Sequence, residues 1–174
     1  VSGREIVIAE YDPAWPLLFS QIAARVRQSL PPVLLLSIEH VGSTAVPDLA
    51  AKSVIDMIIV IPSLADLSAA TTHLAGLGYV CEGDLGITGR VAFRWPPEMP
   101  QHHLYVCSPD NEALRDQLLF RDYLRTHDSE ARHYEALKRD LAIRFRHDRP
   151  AYTNGKTGFV HAVLEKARTE PSEQ

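Results

Sequence analysis

The run SVIDMIIVI, residues 53–61, constrains the fold more than any other stretch of the chain. It is β-branched and apolar at both odd and even positions, so neither side of it can face water. A strand buried on both faces belongs in the interior of a sheet covered by helices. Asp56 interrupts it, flanked by Val54, Ile55, Met57 and Ile58. An ionised carboxylate in such surroundings is costly unless it is paired or bound to a metal, and aspartate is a poor strand former. The expectation is a buried Asp56 with a charged companion. Alternation along the strand puts position 58 on the same face as 56. That position holds Ile58, so the strand offers one hard ligand where a D-x-D pair would grip two magnesium ions.

Around this strand the pattern reads as a mixed α+β sheet followed by a helical half. REIVIAE at 4–10 predicts a first strand. Asp12 and Pro13 open a helix with Trp15, Phe19, Ile22 and Val26 at helical spacing, which ends before Pro31 and Pro32. VLLLSIEHVG at 33–42 predicts a second strand. SLAD at 63–66 resembles a capping box for a helix that stops at Gly76–Gly78. YVCE, RVAFRW and HHLYVCS follow as short strands between glycine and proline punctuation. From Pro109 the period is helical: one helix over 111–127, a second from Asp128 with Tyr134, Leu137, Leu141 and Phe145 in a stripe, and a last one opening near Thr153 and Asn154. The 174 residues fit a single domain spanning 1–168, in which residues 1–108 contain the sheet and residues 109–168 are helical, with a polar tail at 169–174.

A net charge of −4 argues against a general nucleic-acid binder. The charge is uneven: residues 112–168 hold 12 Lys/Arg against 9 Asp/Glu, so the helical half can face a small anion, although a solvated helical surface explains the same excess. No apolar run reaches the roughly 20 residues of a spanning helix, and no leader pattern is visible, so the expectation is a cytoplasmic protein with no membrane role. Cys81 and Cys107 have neither disulfide-framework nor zinc spacing and are expected as reduced, partly buried thiols.

Chemistry-bearing residues come from separate segments. Gly42 would let backbone amides crowd an anion, and Ser43 and Thr44 could donate to phosphate oxygens, with Lys52 supplying a point charge at the far end of the loop. The stretch is no P-loop, and a plain turn with a solvated lysine fits it too. His103 shares a strand face with Tyr105 and Cys107 and is either an acid/base group or a rim histidine bonded to the backbone. Arg121 lies on an apolar stripe and needs a partner, which is either an internal acid such as Asp56 or Glu39, or a phosphate or carboxylate ligand. Tyr152 and Lys156 flank an expected helix start, where amides favour anions.

Six ordered blocks, EYDPAWPLLF, IEHVGSTAVPDLAAKSVIDMIIVI, HHLYV, FRDYLRTH, YEALKRDLA and AYTNGKTGFV, are together similar to the GrpB family, also called UPF0157, from about Ile6 to Ala167. The resemblance implies a nucleotidyltransferase-like fold: a mixed sheet with flanking helices, a Gly-Ser turn matched by Gly42 and Ser43, and a first strand acid matched by Asp56. Ile58 stands where an active transferase carries its second acid. Tyr105 replaces a histidine of the family's His-Leu-His, and Asp48 a common glycine. The implied function is a nucleotidyltransferase-type enzyme acting on a nucleotide or small phosphorylated substrate. In it Asp56 would hold one Mg²⁺, His103 would transfer a proton, and Gly42, Ser43, Thr44, Lys52, Arg121, Tyr152 and Lys156 would bind substrate. The alternatives are a catalytically degenerate anion-binding module and an accessory domain for a partner enzyme. Some relatives carry the domain fused to a dephospho-CoA kinase, which suggests a link to coenzyme A biosynthesis. A homodimer stays open.

Overall fold

The computed structural model describes residues 5–170. Its centre is a five-stranded mixed sheet in the order β1-β2-β5-β4-β3, built from β1 (Ser37–Val41), β2 (Ile55–Val60), β3 (Val80–Gly83), β4 (Arg90–Arg94) and β5 (His102–Cys107). β2 runs antiparallel to β1 and parallel to β5, and β4 pairs antiparallel with both β5 and β3. The apolar run of 53–61 is thus an interior strand, as its two-faced hydrophobicity requires.

Helices α1 (Ala14–Ser29) and α2 (Leu67–Gly76) cover one face. There Met57, Ile59 and Ile61 pack with Ile22, Val26, Ala70, Leu74, Leu104 and Val106, and the cluster is sealed from water. The opposite face carries Ile58, Val60 and Cys107 against Leu114 of α3 (Glu112–Thr126). α3 packs in turn with α4 (Asp128–Arg144) and α6 (Thr157–Thr169), and a short α5 (Arg149–Asn154) precedes α6. Tyr123, Leu124, Tyr134 and Val163 from these helices close over Val46 and Leu49 of the β1–β2 loop. Asn111 caps α3 by accepting from the Leu114 amide at 3.1 Å, and Asp12 accepts from the Ala14 amide at 2.8 Å to start α1.

Several elements differ from expectation for identifiable reasons. The segment expected as a first strand makes a single bridge, Ala9 to Ala51. Its Ile6 amide instead donates to the Arg146 carbonyl at 2.9 Å, in the turn after α4, and the segment pairs with no strand of the sheet (Arg4 lies outside the described residues). The second strand is shorter than 33–42 because Pro31 and Pro32 set a 3₁₀ turn at Pro32–Leu34. Ser63 accepts from the Ala65 amide at 3.1 Å and caps a 3₁₀ turn, so the reciprocal capping box does not form. The last helix opens at Thr157, three residues beyond the expected start, because Asp148 and Pro150 set up α5 first. Tyr152 therefore sits inside α5, and Lys156 is the residue before α6. Cys107 is buried and Cys81 exposed. Of the expected tail, 169 ends α6, 170 follows it and 171–174 lie outside the described residues. Among the described residues no helix is long and apolar enough to cross a membrane.

Candidate functional site

Between the open side of the sheet and the helical half lies a cleft of about 420 Å³. Gly42, Ser43, Thr44, Lys52, Asp56, His103, Tyr152 and Lys156, all singled out by sequence, line it. The site forms because β2 and β5 are parallel neighbours, which sets Asp56 opposite His103 in register. The two side chains meet: His103 Nδ1 and Asp56 Oδ1 are 2.6 Å apart. A carboxylate can only accept, so the imidazole donates from Nδ1 and its Nε2 is left as the acceptor. That nitrogen receives a long contact from Arg149 Nη2 at 3.5 Å. The companion of Asp56 is thus His103, a hydrogen-bonding imidazole in place of the charged group expected. Asp56 is less buried than expected, with 30% of its side chain exposed through the cleft.

Gly42 is required at its position for two reasons. Its φ of +73° is one that side chains rarely adopt, and a Cβ there would lie 2.5 Å from Asp56 Oδ2. The turn that follows is a 3₁₀ segment, Ser43–Ala45. Ser43 lies on the side of the Tyr134 hydroxyl. Thr44 turns inward: its Oγ1 is 3.0 Å from His40 Nε2 and 3.4 Å from the Val54 carbonyl, so it is engaged by the protein and not offered to a ligand. The loop is fastened to the helical half. Ala50 donates to Glu135 at 3.2 Å and accepts from Lys138 Nζ, and Arg125 bonds the Ala45 carbonyl at 2.8 and 3.0 Å.

Cations gather around the ring of Tyr152. Lys52 and Lys156 both lie over the ring of Tyr152, with ammonium-to-centroid distances of 5.4 and 4.5 Å. Neither forms an ion pair among the described residues; the field of Asp56 reaches both. Burial and the neighbouring Lys52 push Lys156 down to about 8, and burial with Arg149 lowers Lys52. Lys138, 2% exposed, lies over Tyr134 at 4.8 Å, and burial followed by Lys156 pushes it down to about 7. Burial raises the Tyr152 phenol to about 12, so that ring serves as a neutral platform.

Arg121 does not belong to this cleft. It forks onto Asp122 at 2.7 and 3.0 Å, reaches Glu39 at 3.3 Å and donates to the His40 carbonyl at 3.0 Å, which ties α3 to β1. Its partner is the internal acid, one of the two alternatives its position allowed. Sequence reasoning missed Asp116, Gln117, Phe120, Tyr134 and Lys138, which line the cleft from α3 and α4. Lys138 had a readable signal: it stands four residues after Tyr134 and three before Leu141, on the buried stripe of its helix.

The donor set does not suit a resident magnesium ion. Asp56 already binds His103 through one oxygen, its strand neighbour on that face is Ile58, and Asp116 is paired with Arg168 at 2.5 Å. Among the described residues no group of three His, Cys, Asp or Glu side chains is placed to hold a metal ion.

Comparison with known proteins bears on the same region. The family model described as GrpB protein matches residues 5–166. A UPF0157 protein of Pseudomonas aeruginosa is 42% identical over 93% of this chain and 67% of its own length. The UPF0157 protein YqkA of Bacillus subtilis is 33% identical over 95% of this chain and 48% of its own, so this chain spans about half of that relative. Among solved structures, the conserved protein GrpB from Enterococcus faecalis superposes with a TM-score of 0.83 at 31% identity, covering 92% of this chain and 96% of that one. Cid1, solved in complex with its short product ApU, gives a TM-score of 0.53 at 11% identity over 79% of this chain and 43% of its own. That is a likeness of fold alone.

Proposed function

The chain belongs to the GrpB family, and from that premise we propose that its cleft binds a small phosphorylated ligand or nucleotide, with the Asp56–His103 pair moving a proton on it. The observation that carries this reading is the pair of ammonium groups, Lys52 and Lys156, over one tyrosine ring without a carboxylate partner among the described residues. Two cations that repel each other in a half-buried site are relieved by an anion, and phosphate oxygens accept from both at once. The aromatic walls, Phe120, Tyr134 and Tyr152, suit a sugar or base. The solved complex of Cid1 with ApU adds support by fold alone.

In this reading Ser43 and the Gly42 turn approach the phosphate, Lys52 and Lys156 neutralise it, and Lys138 holds the loop through Ala50. Asp56 fixes the tautomer of His103, whose Nε2 accepts a proton from a ligand hydroxyl or attacking water. No step is assigned to magnesium: the lysines supply positive charge to the cleft, and Ile58 stands where a second carboxylate for a two-metal transfer would be needed. A magnesium-dependent nucleotidyl transfer is therefore the second reading, favoured only by the fold.

Calorimetry with orthophosphate and with ATP, each with and without Mg²⁺, tests the choice. Binding that is independent of magnesium, and lost in the double variant Lys52→Ala, Lys156→Ala, is expected. Binding that needs Mg²⁺ and disappears in Asp56→Asn would install the transferase reading instead.

A further inference from the structure

Arg90 is a charged group that the cleft as described does not use. It is 8% exposed, and its buried Nε has no hydrogen-bond partner. Among the described residues it forms no ion pair; its one close polarised contact is the face of Tyr105, with Cζ 4.0 Å from the ring centroid. Stacking on an aromatic ring returns only a fraction of what an unpaired buried cation costs. By contrast, Arg121 on the same face satisfies its fork with two carboxylates and a carbonyl.

Its place in the sheet says what it faces. Arg90 stands opposite Cys107, Ala92 opposite Tyr105, and Arg94 opposite His103. Directly opposed residues share a face, so Arg90 lies on the side of Tyr105 and His103 and, through the register of β2 with β5, of Asp56. Asp56 is the carboxylate whose field reaches it. Tyr105 lines the cleft and Arg90 does not: the guanidinium lies against the Tyr105 ring, one side chain behind the cleft floor. Lys52 stands just before β2, beyond its Asp56 end, and Arg90 is rooted at the other end of β5. At a strand rise of about 3.3 Å, His103 and Tyr105 alone are separated by about 7 Å along the sheet.

We propose that Arg90 and Tyr105 form a second anion subsite, which takes a distal phosphate or carboxylate of the same small ligand whose first phosphate sits at Lys52 and Lys156. This deepens the reading above and rests on it. It narrows the ligand class to small molecules with two separated anionic groups, such as sugar bisphosphates, with the Asp56–His103 pair lying between the two ends. The guanidinium fork binds the second group with two parallel hydrogen bonds, and the tyrosine ring holds the fork in plane.

The test compares fructose 1,6-bisphosphate with orthophosphate, as probes of charge spacing, by calorimetry at fixed low salt. Arg90→Gln is expected to weaken the bisphosphate roughly tenfold or more while orthophosphate is unchanged, as befits loss of one charge-assisted fork. The melting temperature of the ligand-free variant is expected to stay level or rise, because an unpaired cation has been removed. Arg90→Lys, which keeps the charge but not the fork, is expected to recover some of the bisphosphate affinity. A wild-type protein that binds the bisphosphate no more tightly than orthophosphate would overturn the subsite. So would Arg90→Gln that lowers the melting temperature, is rescued for stability by Arg90→Lys, and leaves the bisphosphate unaffected: Arg90 is then structural. Orthophosphate binding that survives loss of Lys52 and Lys156 identifies the lysine reading as the one at fault and removes the first end of the ligand.

Discussion

Two histidines adjacent in sequence show how differently the two faces of the sheet are built. His102 is fully buried on the face covered by α1 and α2, and both its ring nitrogens are engaged: Nδ1 donates to the Pro100 carbonyl at 2.7 Å, so Nε2 accepts from the Tyr79 hydroxyl, also at 2.7 Å. His103, one residue on, faces the cleft with Asp56 on one nitrogen and the other turned outward. The same contrast holds across the sheet. The closed face satisfies its polar groups internally, whereas the cleft face carries Lys52, Lys156 and Arg90 without acidic partners among the described residues. The closed face holds the fold together. The cleft face leaves charge unpaired at a cost in stability, which under the function proposed above is the trade a binding site makes.

Substitutions on the two faces can break that contrast. Met57→Ala, at the centre of the closed face, is expected to lower unfolding free energy by about 2–5 kcal/mol, read as a shift in denaturant midpoint, with phosphate binding intact below the transition. His102→Ala is expected to cost about 1–3 kcal/mol by leaving Tyr79 and Pro100 unpaired. His103→Ala, by contrast, should fall within roughly 0.5 kcal/mol of wild type, as at other partly exposed sites. Equal losses for the two histidines would erase the distinction between the faces.

Acid comes next. His40 stacks on Phe19 at 4.6 Å, and burial, set against the nearby Asp56, pushes it down to about 4. Between pH 6.5 and 4 the unfolded chain binds the proton that the folded one refuses, so stability is expected to fall as pH drops through that window. Denaturant midpoints across it should be flatter in His40→Gln. The smallest effect belongs to Lys156. Its folded value of about 8 lies below the unfolded lysine value. The free protein is therefore expected to gain slightly in stability as pH rises from about 8 towards 10.5, while phosphate affinity falls over the same range. Lys156→Met should remove both trends; affinity that instead rises with pH would contradict the lysine site.

Sequence showed most where a single element decides. The two-faced run at β2 with its single carboxylate, Asp56, and the stripes of α3 and α4 follow from local chemistry and spacing; for Gly42, Ser43 and His103 spacing also fits a plain turn and a rim histidine, and it is the family resemblance that points to the Gly-Ser turn. What it hid depends on long-range pairing. The 4–10 segment has strand composition, but the main-chain bonds of its described residues go to the turn after α4 and to Ala51. Arg121 and Arg90 are both lone arginines in apolar patterns, and only tertiary contact shows that one is paired and the other is not. Thr44 looks like Ser43 in sequence, yet its hydroxyl turns towards His40.

The irregular opening segment has one more consequence. Ile6 is bonded to Arg146, Ala9 exchanges both main-chain bonds with Ala51, and Glu10 meets Arg139 at 2.7 Å. One bank of the cavity carries Lys52, next to Ala51; the other carries Tyr152, against which Ile6 packs. The spacing between the banks is thereby gauged by a few main-chain bonds from an irregular stretch, and a change made there, with every charged group of the cavity left as it is, would alter the width of the cavity.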